Sequence, residues 1–240
     1  MALVSDLKTL LHLVKPTRGQ DHKSRLESFY GGQAEGYDEF RKRLLPGRQE
    51  LIDQLELQPE SSFADFGCGT GITLELLGDR AKDLKKIYLV DLSPSLLAVA
   101  QKRVKTLGLS NVEIIESDVS KLELSEQLDY VTFSYSLSMI PDWFSAISSA
   151  KKWLKPSGKF GVVDFYVSRK FSGPGLAQHG WMKRTLWPIW FNFDGVYPNP
   201  DHLPFLLSQF ETELLSERET KIPYLPLSQM PYYTFIGKPR

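Results

Sequence analysis

One cysteine, Cys68, is all that 240 residues contain, so no internal disulfide can form and no zinc site can be built from several thiolates. A lone thiol also suits a reducing compartment. Neither sign of charge is in excess, with 29 Lys and Arg against 29 Asp and Glu. Without a basic surplus there is no global pull towards nucleic acid or anionic lipid, although a local patch stays compatible with neutrality. No apolar run approaches the roughly 20 residues that span a bilayer. Near the N-terminus Asp6, Lys8, His12 and Lys15 interrupt any secretory apolar segment. Internal repeats and low-complexity tracts are missing as well. What is present, 42% apolar and 24% charged residues, is ordinary globular composition. The expectation is a cytoplasmic protein, with peripheral contact at a membrane surface left open.

Residues 2–14 place Leu3, Leu7, Leu10, Leu11 and Val14 at helical spacing, as a core-packing helix or a surface-seeking one. A second helical block, 33–57, is broken at Pro46-Gly47. From about residue 62 short apolar runs alternate with longer segments. Ser62–Phe66, Ile87–Val90, Val112–Glu116, Tyr130–Ser134 and Lys159–Tyr166 read as strands, with 72–82, 94–107 and 142–154 helical between them and 120–126 a short link. That alternation implies a parallel sheet with right-handed crossovers. Two more strand candidates, 212–222 and 232–238, suggest an antiparallel pair at the sheet edge. The expected fold class is α/β, a Rossmann-like, doubly wound, seven-stranded, mostly parallel sheet with one antiparallel edge strand. Within one domain the chain divides into a helical leader (1–60), a cofactor-binding core (61–167), an aromatic-rich cap insertion (168–210) and a C-terminal strand pair (211–240).

The segment Phe63-Ala-Asp65-Phe-Gly67-Cys68-Gly69-Thr-Gly71 follows a strand and opens a helix, where a doubly wound sheet binds its ligand. Its glycines run G-x-G-x-G, unlike the G-x-G-x-x-G that presents helix N–H groups to a pyrophosphate. Asp65, two residues ahead of the first glycine, would repel a pyrophosphate but suits a ligand carrying an ammonium group. Asp91 ends the second strand, 20 residues past Gly71, where a carboxylate can accept from ribose hydroxyls. Asp118 follows the third strand, where it can take the exocyclic amine of adenine. Each aspartate alone is equally at home as a loop or helix-capping residue. Three at successive strand ends point to a nucleoside-bearing cofactor.

These pieces, with the run Asp129–Leu137 and Leu154-Lys-Pro-Ser-Gly158, resemble the class I S-adenosylmethionine-dependent methyltransferases over roughly residues 28–165. The resemblance implies S-adenosyl-L-methionine as cofactor. It puts Asp65 and Gly67, Cys68 and Gly69 around the methionyl part, Asp91 at the ribose and Asp118 at the adenine, with Leu92 and Val119 as further cofactor contacts. Ser134 and Tyr135 would lie beneath the sulfonium. Cys68 inside the turn reads as packing rather than as a nucleophile. In the leader, Tyr30, Tyr37 and Arg41 are placed to contact the cofactor carboxylate or the methyl acceptor, or else to pack and be solvated. Tyr37 and Arg41 share a helix face.

The acceptor should be decided by residues 164–205, which hold Tyr166, Phe171, Trp181, Trp187, Trp190, Phe191, Phe193, Tyr197 and Phe205. Aromatic faces attract methylated ammonium ions and suit a lipid-lined mouth, but they can also simply fill space over the sheet. Asp164, Asp194 and His202 are the polar candidates there, with His202 as base, orienter or structural residue. The leader F-Y-x-x-Q-A-x-x-Y-D, the run Ser134-Tyr-Ser-Leu-Ser-Met-Ile-Pro-Asp-Trp143, Val163-Asp-Phe and Asn199-Pro-Asp-His-Leu-Pro204 are similar to the betaine-lipid (diacylglyceryl-homoserine) N-methyltransferases. That similarity implies three successive methylations of a lipid head-group amine. A tyrosine hydroxyl such as Tyr30 or Tyr135 could orient the free amine, and these two with Asp164 and His202 are the catalytic candidates. It also implies a separate head-group transferase supplying the substrate. Another lipid or small molecule, such as phosphatidylethanolamine or a quinone precursor, remains an alternative acceptor. A non-catalytic cofactor-binding scaffold is the alternative of another kind. Nucleic acid is disfavoured by the neutral balance and by the lack of an Asn/Asp-Pro-Pro-Tyr motif after the fourth strand. No metal is called for.

Overall fold

The computed structural model describes residues 45–192, 195–221 and 229–240, together with Lys23, Ser24 and Glu27. The expected helix over 2–14, most of the 33–57 block, and the candidates Tyr30, Tyr37, Arg41 and Asp194 lie outside the described residues.

Helix α1 (Arg48–Gln54) begins directly after the Pro46-Gly47 break, and buries Leu51 and Ile52. Then come β1 (Ser62–Phe66), α2 (Thr73–Leu77), α3 (Arg80–Asp83), β2 (Lys86–Asp91), α4 (Pro94–Leu107) and β3 (Val112–Glu116). After a short 3₁₀ turn over Val119–Lys121 follow β4 (Leu128–Ser134), α5 (Trp143–Trp153) and β5 (Leu154–Phe165). The cap region carries α6 (Trp181–Asn192) and α7 (His202–Gln209), and the chain closes with β6 (Phe210–Lys221) and β7 (Gln229–Pro239).

Seven strands form one sheet in the order β3-β2-β1-β4-β5-β7-β6. The first five are parallel. The reversed strand is β7, which sits one place in from the edge, between β5 and an outer β6. Strand order turns around between β1 and β4, and in such sheets the crevice outside the carboxyl ends of the strands at that point takes the ligand. Every residue of β1 is buried, as are five of the six in β2, which is what helices on both faces of a parallel sheet demand.

Local chemistry explains the boundaries. Ser93 caps α4 by accepting from Leu96 N at 3.3 Å, Pro94 occupies its first turn, and Gly108 ends it in the left-handed region at φ +65°. The expected single helix over 72–82 is instead two, because Gly78 turns the chain at φ +59°. Strand β5 starts earlier than expected. Leu128 pairs with Leu154 but Tyr130 pairs with Lys159, so the Pro156–Gly158 turn is absorbed as a bulge within the strand.

Candidate active site

The glycine turn between β1 and α2 is held from both sides. Gly67 N and Cys68 N donate to Val90 O at 2.8 and 3.0 Å, tying the turn to the end of β2. Gly67 has φ +71°, and a Cβ there would stand 2.5 Å from Ser136 Cβ, so both conformation and space require glycine. Ser136 in turn donates to Phe66 O at 2.9 Å. At Gly69 a Cβ would meet only Leu96, at 3.9 Å, so its backbone faces open space.

That space is a cleft of about 930 Å³, counting its open mouth. Asp65, Gly67, Cys68, Gly69, Asp91, Leu92, Asp118, Val119, Ser134 and Tyr135 all line it. The structure therefore brings together every proposed cofactor contact among the described residues.

Asp65 is almost fully buried, and its two oxygens accept from Thr73 Oγ1 at 2.6 Å and Thr132 Oγ1 at 3.0 Å. Burial raises its pKa to about 6, although the two hydroxyls and the Arg48 guanidinium pull the other way. A buried carboxylate with that much desolvation to recover is a ready partner for a cation. Asp91 accepts from Gly69 N at 2.8 Å through Oδ2 and from Ser93 N at 2.9 Å through Oδ1, so one side chain joins the glycine turn to the N-terminus of α4. Burial pushes its pKa up as well. Glu27 of the leader adds a carboxylate behind it, accepting from the Ser93 and Ser95 hydroxyls. Asp118 caps the 3₁₀ turn, with Oδ1 accepting from Ser120 N and Oγ at 3.0 and 2.7 Å. Capping and cleft-lining are thus the same residue's work.

At the end of β4, Ser134 Oγ is buried and has no hydrogen-bond partner among the described residues. An unmet polar atom in a cleft wall marks a place where a bound polar group is missing its contact. Tyr135 is left-handed at φ +55°, an uncommon state for an aromatic residue, and is fixed there by Tyr135 N donating to Val163 O at 2.8 Å. Its hydroxyl donates to Pro46 O at 2.7 Å, and its ring packs edge-on to Phe165 at 4.7 Å with Arg48 over it at 5.4 Å. Burial holds its phenol well above its ordinary pKa. Tyr135 accordingly shapes the wall and anchors the start of α1, and its hydroxyl is not free to orient an acceptor amine.

Three expectations need correction. Asp164 does not line the cleft. It is fully buried, accepting from Ser138 N at 2.9 Å, Ser138 Oγ at 2.6 Å and its neighbour Phe165 N, and it clamps the chain that leaves β4. His202 is also fully buried and away from the cleft, with its ring against Trp143 at 4.8 Å and neither nitrogen partnered. Desolvation lowers its pKa to about 3, so the buried imidazole stays neutral over the ordinary pH range. Nor do the cap aromatics among the described residues line the cleft, Phe193 lying outside those residues. Trp187 and Phe191 are buried, with Phe191 packed on Phe165 at 5.2 Å, while Phe205 packs on Trp143 and Phe144. Others, including Trp181 and Trp190, face solvent. Helical and loop periodicity told nothing of which way these rings point.

Arg48, Thr73, Thr132, Ser136, Met139 and Ile140 escaped the sequence reading. All but Thr132 line the cleft, and Thr132 holds Asp65. Thr132, Ser136, Met139 and Ile140 lay inside the runs that carry the resemblances without being singled out, and Arg48 is a cation directly after the Pro-Gly break.

His202→Leu should leave catalysis intact and raise stability, since two unmet buried nitrogens cost about 1–3 kcal/mol each. In wild type the unfolded chain takes a proton below pH 6.5 that folded His202 refuses until about pH 3, so stability drains away as pH falls through that window. The melting-temperature gain of the variant should therefore widen from pH 7 to pH 5. A lower melting temperature at pH 5, or lost activity, would restore a working role for the imidazole.

Residues 63–158 match the family model described as a methyltransferase domain. A demethylmenaquinone methyltransferase from Bacillus mycoides (strain KBAB4) is 32% identical over 114 residues, which are 47% of this chain and 48% of that protein. The chain thus spans about half the length of the curated relatives it matches. Among solved structures, the N-methyltransferase NodS from Bradyrhizobium japonicum, in complex with S-adenosyl-L-homocysteine, superposes with a TM-score of 0.66 at 14% identity, covering 91% of this chain and 99% of that one. A phosphoethanolamine N-methyltransferase from Haemonchus contortus, in complex with phosphomonomethylethanolamine and S-adenosylhomocysteine, gives 0.70 at 16%, covering 92% and 61%. At these identities the likeness to both is one of fold.

Proposed function

We propose that this protein is an S-adenosylmethionine-dependent N-methyltransferase that acts on a lipid head-group amine, with the homoserine amine of diacylglyceryl-homoserine as acceptor. The observation that carries the cofactor is the convergence of Asp65, Asp91 and Asp118, from the ends of three successive strands, on one cleft around a G-x-G-x-G turn. The residues fit the group. Asp65 and the open backbone at Gly69 receive the methionyl part, with Arg48 in reach of its carboxylate. Asp91 keeps lone pairs for ribose hydroxyls beside the two N–H groups it already holds. Asp118, Leu92 and Val119 bracket the base, and Ser134 Oγ gains a partner. When bound, the cofactor supplies a methyl group already activated by a sulfonium. The protein's part is to align the acceptor and exclude water, which Tyr135, Ser136, Met139 and Ile140 do as walls of the cleft. The acceptor amine must lose its proton before attack, and desolvation in the cleft favours the neutral form.

The acceptor rests on the sequence resemblance to betaine-lipid methyltransferases. Methylation of a quinone precursor is the second reading, favoured by the demethylmenaquinone methyltransferases among the relatives. Mass spectrometry of the purified chain incubated with S-adenosylmethionine and diacylglyceryl-homoserine, phosphatidylethanolamine or demethylmenaquinone separates them. One, two and three added methyls on the homoserine lipid alone are expected. A methylated quinone and an unchanged lipid would move the acceptor to the second reading.

Cofactor affinity should also depend on pH. Burial raises the Asp65 pKa to about 6, and the ligand's ammonium group pairs with the ionised carboxylate. Affinity for S-adenosylhomocysteine is expected to be flat from pH 8 to 7, then to fall by up to about tenfold per unit below pH 6. Flat affinity down to pH 5 would take Asp65 out of contact with the ammonium group.

A further inference from the structure

Helix α6 is apolar on two opposite faces. Trp187 and Phe191 face inward onto Phe165 and its neighbours, and Trp187 Nε1 donates to Gln229 O at 3.2 Å. The outward face carries Trp181, Met182, Leu186, Ile189 and Trp190, with Leu186 and Ile189 each 58% exposed and Trp181 70% exposed. The spacing 182, 186, 189, 190 is a single stripe on a helix. An ordinary solvated helix would put polar residues there.

Charge identifies what covers the stripe. The chain is neutral as a whole, but residues 165–193 contain Arg169, Lys170, Lys183 and Arg184 and not one Asp or Glu. Arg169 and Lys183 are met by Asp201 and Glu219. Lys170 has no carboxylate partner among the described residues and lies over the ring of Phe171, which is 78% exposed, while Arg184 has its Nε buried on the inner side of the helix. Tryptophan and aliphatic residues on one face with cations beside them are the composition of a helix lying in a lipid interface. Size argues the same way. A twelve-residue helix offers a strip only about 18 Å by 10 Å. A stable protein dimer buries about 800 Å² on each partner, whereas a bilayer surface needs no such matched area.

We infer that the outer face of α6 seats the protein on a bilayer surface bearing anionic lipid. The seat is joined to the cleft. Beyond α6, Tyr197 N donates to Ser138 O at 2.6 Å, in the segment that carries the cleft residues Met139 and Ile140. The inference stands whichever acceptor is methylated, and its test reads binding, not transfer.

The full chain is sedimented with vesicles of phosphatidylcholine containing three-tenths phosphatidylglycerol, and with phosphatidylcholine alone. Wild type should bind the anionic vesicles, with a blue shift of tryptophan emission, and bind the neutral ones several-fold more weakly. Leu186→Ser/Ile189→Ser should lower partitioning about tenfold or more, and Lys170→Glu should weaken only the anionic case. Because these side chains are exposed and outside the cleft, melting temperature and affinity for S-adenosylhomocysteine should not move. Wild type left in the supernatant with both vesicles would overturn the inference, as would an Leu186→Ser/Ile189→Ser variant that binds like wild type. So would a wild-type dimer in analytical ultracentrifugation that the double variant dissolves, because a second copy would then be the occupant.

Discussion

Asp91→Ala is expected to weaken S-adenosylhomocysteine binding by at least about a hundredfold while the chain stays folded. The carboxylate holds Gly69 N at 2.8 Å and Ser93 N at 2.9 Å, so its loss frees the glycine turn and the start of α4 together. Hydrogen bonds to a charged group contribute about 1.5–3 kcal/mol each, and the ribose contacts go with them. Loss of two ribose contacts to the carboxylate by itself amounts to two or more factors of ten in affinity. Stability should suffer less than binding, because removing a buried carboxylate whose pKa is raised by burial also removes its desolvation cost. Asp91→Asn keeps the shape and one acceptor oxygen, and should fall between the two. Calorimetric titration checks the series, and near-normal affinity in the alanine variant would detach the ribose from the end of β2.

Gly67→Ala should lower the melting temperature by on the order of 10 °C. A left-handed alanine costs about 1–2 kcal/mol, and forcing a methyl group against Ser136 Cβ adds about 1–3 kcal/mol of overpacking. For a domain of this size each kcal/mol moves the midpoint by about 2–4 °C. The two causes separate experimentally. Ser136→Gly removes the atoms that the new methyl would strike, so Gly67→Ala/Ser136→Gly should recover the steric part and retain the conformational part. Strictly additive losses in that cycle would show that Ser136 is not what excludes a side chain at Gly67.

How far the sequence carried is clearest in single elements. Strands β1 and β3 and helix α4 have the boundaries expected of them, because their ends are set by local chemistry: Ser93 and Pro94 before α4, Gly108 after it, a glycine turn after β1. The carboxylates of the cleft were legible for a related reason. In a parallel sheet the carboxyl ends of the strands share one rim, so position along the chain predicts position in space. Where direction rather than position mattered, the sequence was silent. Asp164 and His202 lie within the expected acceptor region, yet one turns in to clamp Ser138 and the other sinks against Trp143. The aromatic cap divides between core and outer surface for the same reason, since a run that is apolar all round a helix does not reveal which side is inward. The bulge at Pro156–Gly158 depends on pairing with β4, and no local signal carries that register.

The central claim is that a carboxylate-lined cleft at the β1–β4 switch point takes a nucleoside carrying an ammonium group and rejects a pyrophosphate. Parallel calorimetric titrations of the wild-type chain at pH 7.5 with S-adenosylhomocysteine and with NAD test it most directly. One-to-one binding of S-adenosylhomocysteine with no heat from NAD is the predicted result. Binding of NAD, or silence from S-adenosylhomocysteine at millimolar concentration, would contradict it.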